Sequence, residues 1–139
     1  MKKACLVTSS YLKNNVVFNE KSKLNRDNIF DKYIKLQKKL EKEGYFLATD
    51  DINCIEDSDL IFYLDMPKVM PSKNKIKNSY LILRESELII SENYDINRHF
   101  FFDKIFTWHD GFIDNKKYFK LNFSHKFPDD IKKNLKKER

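Results

Sequence analysis

Apolar residues in this chain gather into short blocks separated by polar connectors of unequal length. Ala4-Cys5-Leu6-Val7 running into Thr8-Ser9, Tyr45 to Ala48, Asp59 to Leu64, Tyr80 to Leu83 and Lys104 to Trp108 are such blocks. A run that is apolar at nearly every position leaves no face for water, so each predicts a strand buried on both sides. Tyr118 to Phe123 alternates instead, which predicts an edge strand. Ile29, Tyr33, Leu36 and Leu40 recur at spacings of four, three and four, placing them on one face of a helix over Asp27 to Glu43. Asp27 or Asn25 can cap its start, Gly44 suits a left-handed residue at its end, and lysines in the last turns complement its dipole.

The remaining segments are connectors. Leu12 to Arg26 reads as a long polar loop with an apolar island at Val16-Val17-Phe18, room for a short extended piece. Lys73 to Lys77 reads as a loop or short helix, and a final basic helix begins near Asp129-Asp130. Strand, helix, strand, then more short strands with polar connectors predict a right-handed βαβ unit. The expected architecture is therefore a single Rossmann-like three-layer α/β domain with a mostly parallel sheet. It spans residues 1–126, and 127–139 form a basic C-terminal helix or tail.

Composition narrows the chemistry. The 139 residues allow one domain with a modest core, and the 41% hydrophobic and 14% aromatic content excludes a disordered chain. Two glycines leave no way to write a dinucleotide-binding or phosphate-loop motif. Cys5 and Cys54 have neither metal nor redox-motif spacing, and Cys5 within a strand reads as a small buried thiol. The apolar run after Met1-Lys2-Lys3 is too short for a signal peptide, and no stretch is long enough to span a bilayer, so a cytoplasmic protein is expected. A net charge of +6 permits attraction to nucleic acid or to an anionic membrane face through the basic tail. The lysines are spread over helices and loops rather than gathered among aromatics, which argues against nucleic acid as a partner.

In open parallel sheets, ligands bind beyond the carboxyl ends of the strands. Ser10, Glu85 and His109-Asp110 fall there. Between the last two lie the polar turn Glu92-Asn93-Tyr94-Asp95 and the aromatic triplet Phe100-Phe101-Phe102, expected to be core, or an interface if partly exposed. Each candidate has a plainer reading beside the functional one. Glu85 can be a surface carboxylate paired with Arg84 or a lysine, Asn93-Tyr94-Asp95 an ordinary side-chain-stabilised turn, and Trp108 a buried aromatic rather than a sugar-stacking ring. His99, His109 and His125 have no partner at metal spacing, which favours non-catalytic roles.

Taken in order, the strand before Glu85, the Glu92-Asn93-Tyr94-Asp95 loop, the aromatics, Phe102-Asp103-Lys104-Ile105-Phe106-Thr107-Trp108 and Asp114-Asn115-Lys116-Lys117-Tyr118-Phe119-Lys120 resemble glycosyltransferase family 10. These are the α-1,3/4-fucosyltransferases, and the likeness covers the N-terminal half of such enzymes, best from Tyr80 to about Leu121. The resemblance implies an acceptor-side domain of a GT-B transferase. Glu85 matches the family's catalytic base and the Asn93-Tyr94-Asp95 turn its loop beside the acceptor cleft; Ser10 and His109, from their place at the strand ends, and Trp108, as a ring that can stack on a sugar, are the further candidates for contact with the acceptor. Many relatives carry Pro after this Glu, where this chain has Ser86. The implied donor is GDP-fucose, bound mainly by a second domain whose basic, tyrosine-containing motif this sequence lacks; no other cofactor is implied. The chain by itself is accordingly expected to be a weak or inactive catalyst that meets a glycan acceptor and relies on a separate donor-binding chain. The alternative is a non-catalytic Rossmann-like interaction module.

Overall fold

A computed structural model describes residues 1–122 of the chain. Six strands form one sheet, all parallel: β1 Lys2–Val7, β2 Tyr45–Thr49, β3 Leu60–Leu64, β4 Ser79–Leu83, β5 Lys104–Thr107 and β6 Tyr118–Lys120, in the spatial order β2-β1-β3-β4-β5-β6. Every expected strand forms, the first five within two residues at either end and the edge strand β6 as far as Lys120, and the sheet makes this a Rossmann-like α/β domain. The C-terminal basic helix, the tail and His125 lie outside the described residues.

Alternation along the strands divides the core in two. Ala4, Leu6, Leu47 and Leu64 pack beneath α1 (Asp31–Lys42) with its Tyr33 and Ile34. Cys5, Ile61, Tyr63, Leu81, Leu83 and Ile105 pack with Phe102 in the other cluster. Burying the Cys5 thiol pushes its pKa up to about 12, with the nearby Asp50 adding to the rise.

Three local expectations are corrected. First, the helix starts at Asp31 rather than Asp27. Asp27 and Asn28 adopt left-handed backbone, which no α-helix admits, within a 3-10 turn at Arg26–Asn28. Asn25 accepts from the Phe30 amide at 2.9 Å instead of capping a helix at its own position, and Ile29 is left 40% exposed. Gly44 at φ 85° ends the helix as the sequence implies.

Second, the Leu12 to Arg26 segment contains no extended piece. It is built of 3-10 turns at Ser10–Leu12 and Val16–Phe18 and tied to the end of β2. Asn15 and Thr49 exchange bonds of 3.0 and 2.9 Å, Asp51 accepts from the Asn14 amide, and Lys13 meets Asp50 at 2.6 Å. Side chains here satisfy backbone groups that a strand ladder would otherwise serve.

Third, the aromatic triplet is not core as a unit. Only Phe102 is buried; Phe100 and Phe101 are 71% and 38% exposed. The triplet follows the single turn α2 (Ile96–His99), and three consecutive residues leaving a helical turn cannot share one face.

Two glycines suffice because asparagine and aspartate occupy the other left-handed positions: Asn14, Asn15, Asp27, Asn28, Asp65 and Asn115.

Candidate functional site

The chain leaves β1 to build β2 on one side and returns to place β3 on the other. This reversal opens a crevice at the carboxyl ends of the central strands, where ligands bind in open α/β sheets. A depression of about 320 Å³ lies there, walled by Tyr11 and Leu12 after β1, Phe30 and Tyr33 at the start of α1, and Arg84 and Glu85 after β4.

The floor beside it is fixed by Asp65, the residue after β3. Its φ of 62° turns the chain sharply, and its carboxylate is buried. One oxygen accepts from the backbone amides of Arg84 (2.6 Å) and Glu85 (3.0 Å) and from the Asn93 side-chain amide (3.0 Å). The other accepts from the Arg84 guanidinium, at 3.0 Å from Nε and 2.9 Å from Nη2. Asn93 completes the knot by accepting from the Met66 amide at 2.7 Å and donating to the Glu85 carbonyl at 3.1 Å. A buried carboxylate is tolerated only when so fully satisfied.

This arrangement removes one pairing that the plainer reading of Glu85 offered. Arg84 is committed to Asp65, so the Arg84–Glu85 pair of the plainer reading does not form. Among the described residues the Glu85 carboxylate has no ion-pair or hydrogen-bond partner, while its backbone is clamped at both N–H and C=O. The half-buried side chain lines the depression from a backbone held in place.

The other acceptor-side candidates divide. Tyr94, Trp108 and His109 come together with Ser86, Glu87 and Leu88 around a second depression of about 270 Å³ at the ends of β4 and β5. Here His109 lies 4.7 Å from the Phe112 ring and 5.8 Å from Tyr94, and its Nδ1 accepts from the Gly111 amide at 3.1 Å. The Trp108 Nε1–H is buried without a partner, an uncommon state for a donor. Ser10 is exposed and stands next to Tyr11 rather than on a wall of either hollow. Asn93 is fully buried with both ends of its amide spent on the chain, so it shapes the Glu85 loop and offers nothing to a substrate.

His99 has a structural role. Its Nε2 donates to the Asn93 carbonyl (2.8 Å) and its Nδ1 accepts from the Tyr118 hydroxyl (2.9 Å), with burial holding its pKa below the ordinary range. Among the described residues no His, Cys, Asp and Glu cluster could hold a metal ion, and no helix is long and apolar enough to cross a membrane.

Sequence reasoning passed over Asp65 as a residue of the site. A lone Asp closing a buried strand is its only linear trace; the partners that give it meaning are up to 28 residues away. Compared with protein-family models, with curated proteins and with solved structures, the chain matches none.

Proposed function

We propose that the chain supplies the acceptor-side domain of a fucosyltransferase-like, inverting GT-B glycosyltransferase. The observation that carries this reading is Glu85: an unpaired carboxylate on a clamped backbone, at the rim of the crevice where a parallel sheet binds its ligands. In the reaction, Glu85 takes the proton of an acceptor hydroxyl as that oxygen attacks the anomeric carbon of the donor sugar. The bond to the nucleotide diphosphate breaks with its electron pair leaving on the diphosphate, and attack from the opposite face inverts the configuration. GDP-fucose is the expected donor, held by a second domain or a separate chain whose cations neutralise the leaving group. Tyr94, Trp108 and His109 supply flat surfaces against which sugar rings pack.

Titration of the isotopically labelled chain with a panel of mono- and disaccharides tests the acceptor side directly. Amide shifts at Glu85, Ser86, Tyr94 and His109 are expected. A panel that leaves all four unmoved removes the glycan reading.

One set of residues favours the alternative of a non-catalytic interaction module. Leu88 and Ile89, in the loop after Glu85, are 91% and 69% exposed, an unusual display for a water-facing loop. That reading predicts self-association or partner capture abolished by Leu88→Ser, with no sugar binding at all.

A further inference from the structure

The course of the chain covers one face of the sheet unevenly. α1 joins β1 to β2 and lies over the half of that face where Ala4, Leu6, Leu47 and Leu64 stand. The later connections pack on the opposite face, where Phe102 meets Leu81, Leu83 and Ile105. The parallel register carries Ile82, Phe106 and Phe119 onto the face of α1, yet among the described residues no α-helix lies over β4, β5 and β6 there. A parallel sheet is ordinarily covered on both faces. At this edge of α1 lies a hollow of about 220 Å³, between the half-buried side chains of Leu36, Ile82 and Leu121.

The hollow shares Lys32, Tyr33 and Arg84 with the depression that Glu85 lines, so the two run into one another along the first turns of α1. We infer that the acceptor presented to Glu85 is amphiphilic: a glycoside whose apolar aglycone, an alkyl chain or an aromatic ring, occupies this hollow while a sugar hydroxyl meets the base. The inference rests on the reading of Glu85 given above.

Two observations favour an apolar occupant over a charged one. The cations on the shared wall are already engaged. Arg84 meets the buried Asp65 carboxylate at 2.9 Å, and the Lys32 ammonium stands 5.3 Å from the centre of the Tyr33 ring and has a further interaction. Beyond that wall the side chains are aliphatic, whereas the carboxylate of Glu85 stands at the other end. Ligand sites are mostly apolar with a few placed polar groups, and this groove sets its polar group at one end and its apolar volume at the other. Exposed Tyr11, Leu24 and Ile29 offer the sugar ring apolar contact beside Glu85.

Amide shifts of the intact chain during titration with methyl, hexyl and phenyl glucosides and with 1-hexanol test this, the hexyl compound being kept below its micelle-forming concentration. Each buried methylene is worth about fourfold in affinity, so the hexyl or phenyl glucoside should bind at least about tenfold more tightly than the methyl one. The gain should come with shifts at Leu36, Ile82 and Leu121 that methyl glucoside does not produce. Whichever of the two gains more identifies the aglycone as a chain or a ring. Leu121→Gln should remove the gain while leaving methyl glucoside binding and the spectrum of the fold unchanged, and Leu36→Gln should do the same from α1. Equal binding of all three glucosides, or a gain that survives both variants, overturns the inference and leaves the role of Glu85 standing. Shifts at Leu36, Ile82 and Leu121 with 1-hexanol, but none at Glu85 with any glucoside, would uphold the apolar site and sink the glycosyltransferase reading. Concentration-dependent shifts of the three residues in the free chain would give the hollow to a second copy, and contacts to them from residues 123–139 would give it to the chain itself. Either result overturns the proposal.

Discussion

The Asp65 carboxylate accepts the backbone amide of Glu85 at 3.0 Å, so a buried acid at the end of one strand sets where an open acid at the end of the next one stands. Asp65 also neutralises Arg84, whose side chain is only 21% exposed. Removing Asp65 would leave that cation and two backbone amides without their acceptor. Asp65→Ala is expected to cost about 3–5 kcal/mol of folding stability, the scale for breaking a buried ion pair from one side. Asp65→Asn, which tolerates the left-handed backbone but turns an amide toward donors, should cost less. Urea unfolding measures both, and a loss under 1 kcal/mol for Asp65→Ala would show the knot to be dispensable.

His99 makes stability depend on pH with a definite sign. Its proton sits on Nε2, since the Asn93 carbonyl can only accept, and Nδ1 is engaged by the Tyr118 hydroxyl. A second proton on Nδ1 would displace that bond, and burial lowers the native pKa below its ordinary 6.5. The unfolded chain therefore binds this proton first as pH falls. The contribution of neutral His99 is complete above about pH 6.5 and drains away below it, by no more than about 1.4 kcal/mol per pH unit. Urea midpoints between pH 5 and 7.5 should show this slope, and His99→Gln should flatten it. An equal slope in the variant would assign the effect elsewhere.

The two thiols should differ sharply in reactivity. Cys5 is fully buried with its pKa pushed up to about 12, while Cys54 is exposed. Only thiolate reacts with iodoacetamide at an appreciable rate. Mass spectrometry of the native chain at pH 8 should find Cys54 modified and Cys5 intact until denaturant is added. Early labelling of Cys5 would mean that β1 opens without global unfolding.

The strands were legible because burial on both faces writes itself as unbroken apolar runs, as in Leu60–Leu64 and Ser79–Leu83. The position of Glu85 followed from the same logic, since a polar residue ending a parallel strand opens onto the crevice. Helix periodicity was a weaker guide: Ile29 fits the spacing yet stands outside α1, because Asp27 and Asn28 take a left-handed turn that periodicity cannot sense. Asp65 was illegible for a different reason. Its meaning lies in Arg84 and Asn93, brought to it only by folding, and nothing in the local sequence separates it from an ordinary turn aspartate.

The proposed role of Glu85 separates activity from stability in a way no structural role would. Its carboxylate has no partner among the described residues, so Glu85→Gln should change folding stability by no more than about 0.5 kcal/mol. In the completed transferase the same change should lower turnover by about 10²–10⁴-fold, the usual worth of a positioned base, with acceptor affinity kept or improved. Glu85→Asp keeps the charge but withdraws it by one methylene, and should recover only part of that loss. A structural carboxylate would give the reverse pattern, with Glu85→Gln destabilising the fold and turnover following the folded fraction. Unfolding curves and initial rates on the same preparations therefore discriminate, and unchanged turnover in Glu85→Gln would remove this residue from the chemistry.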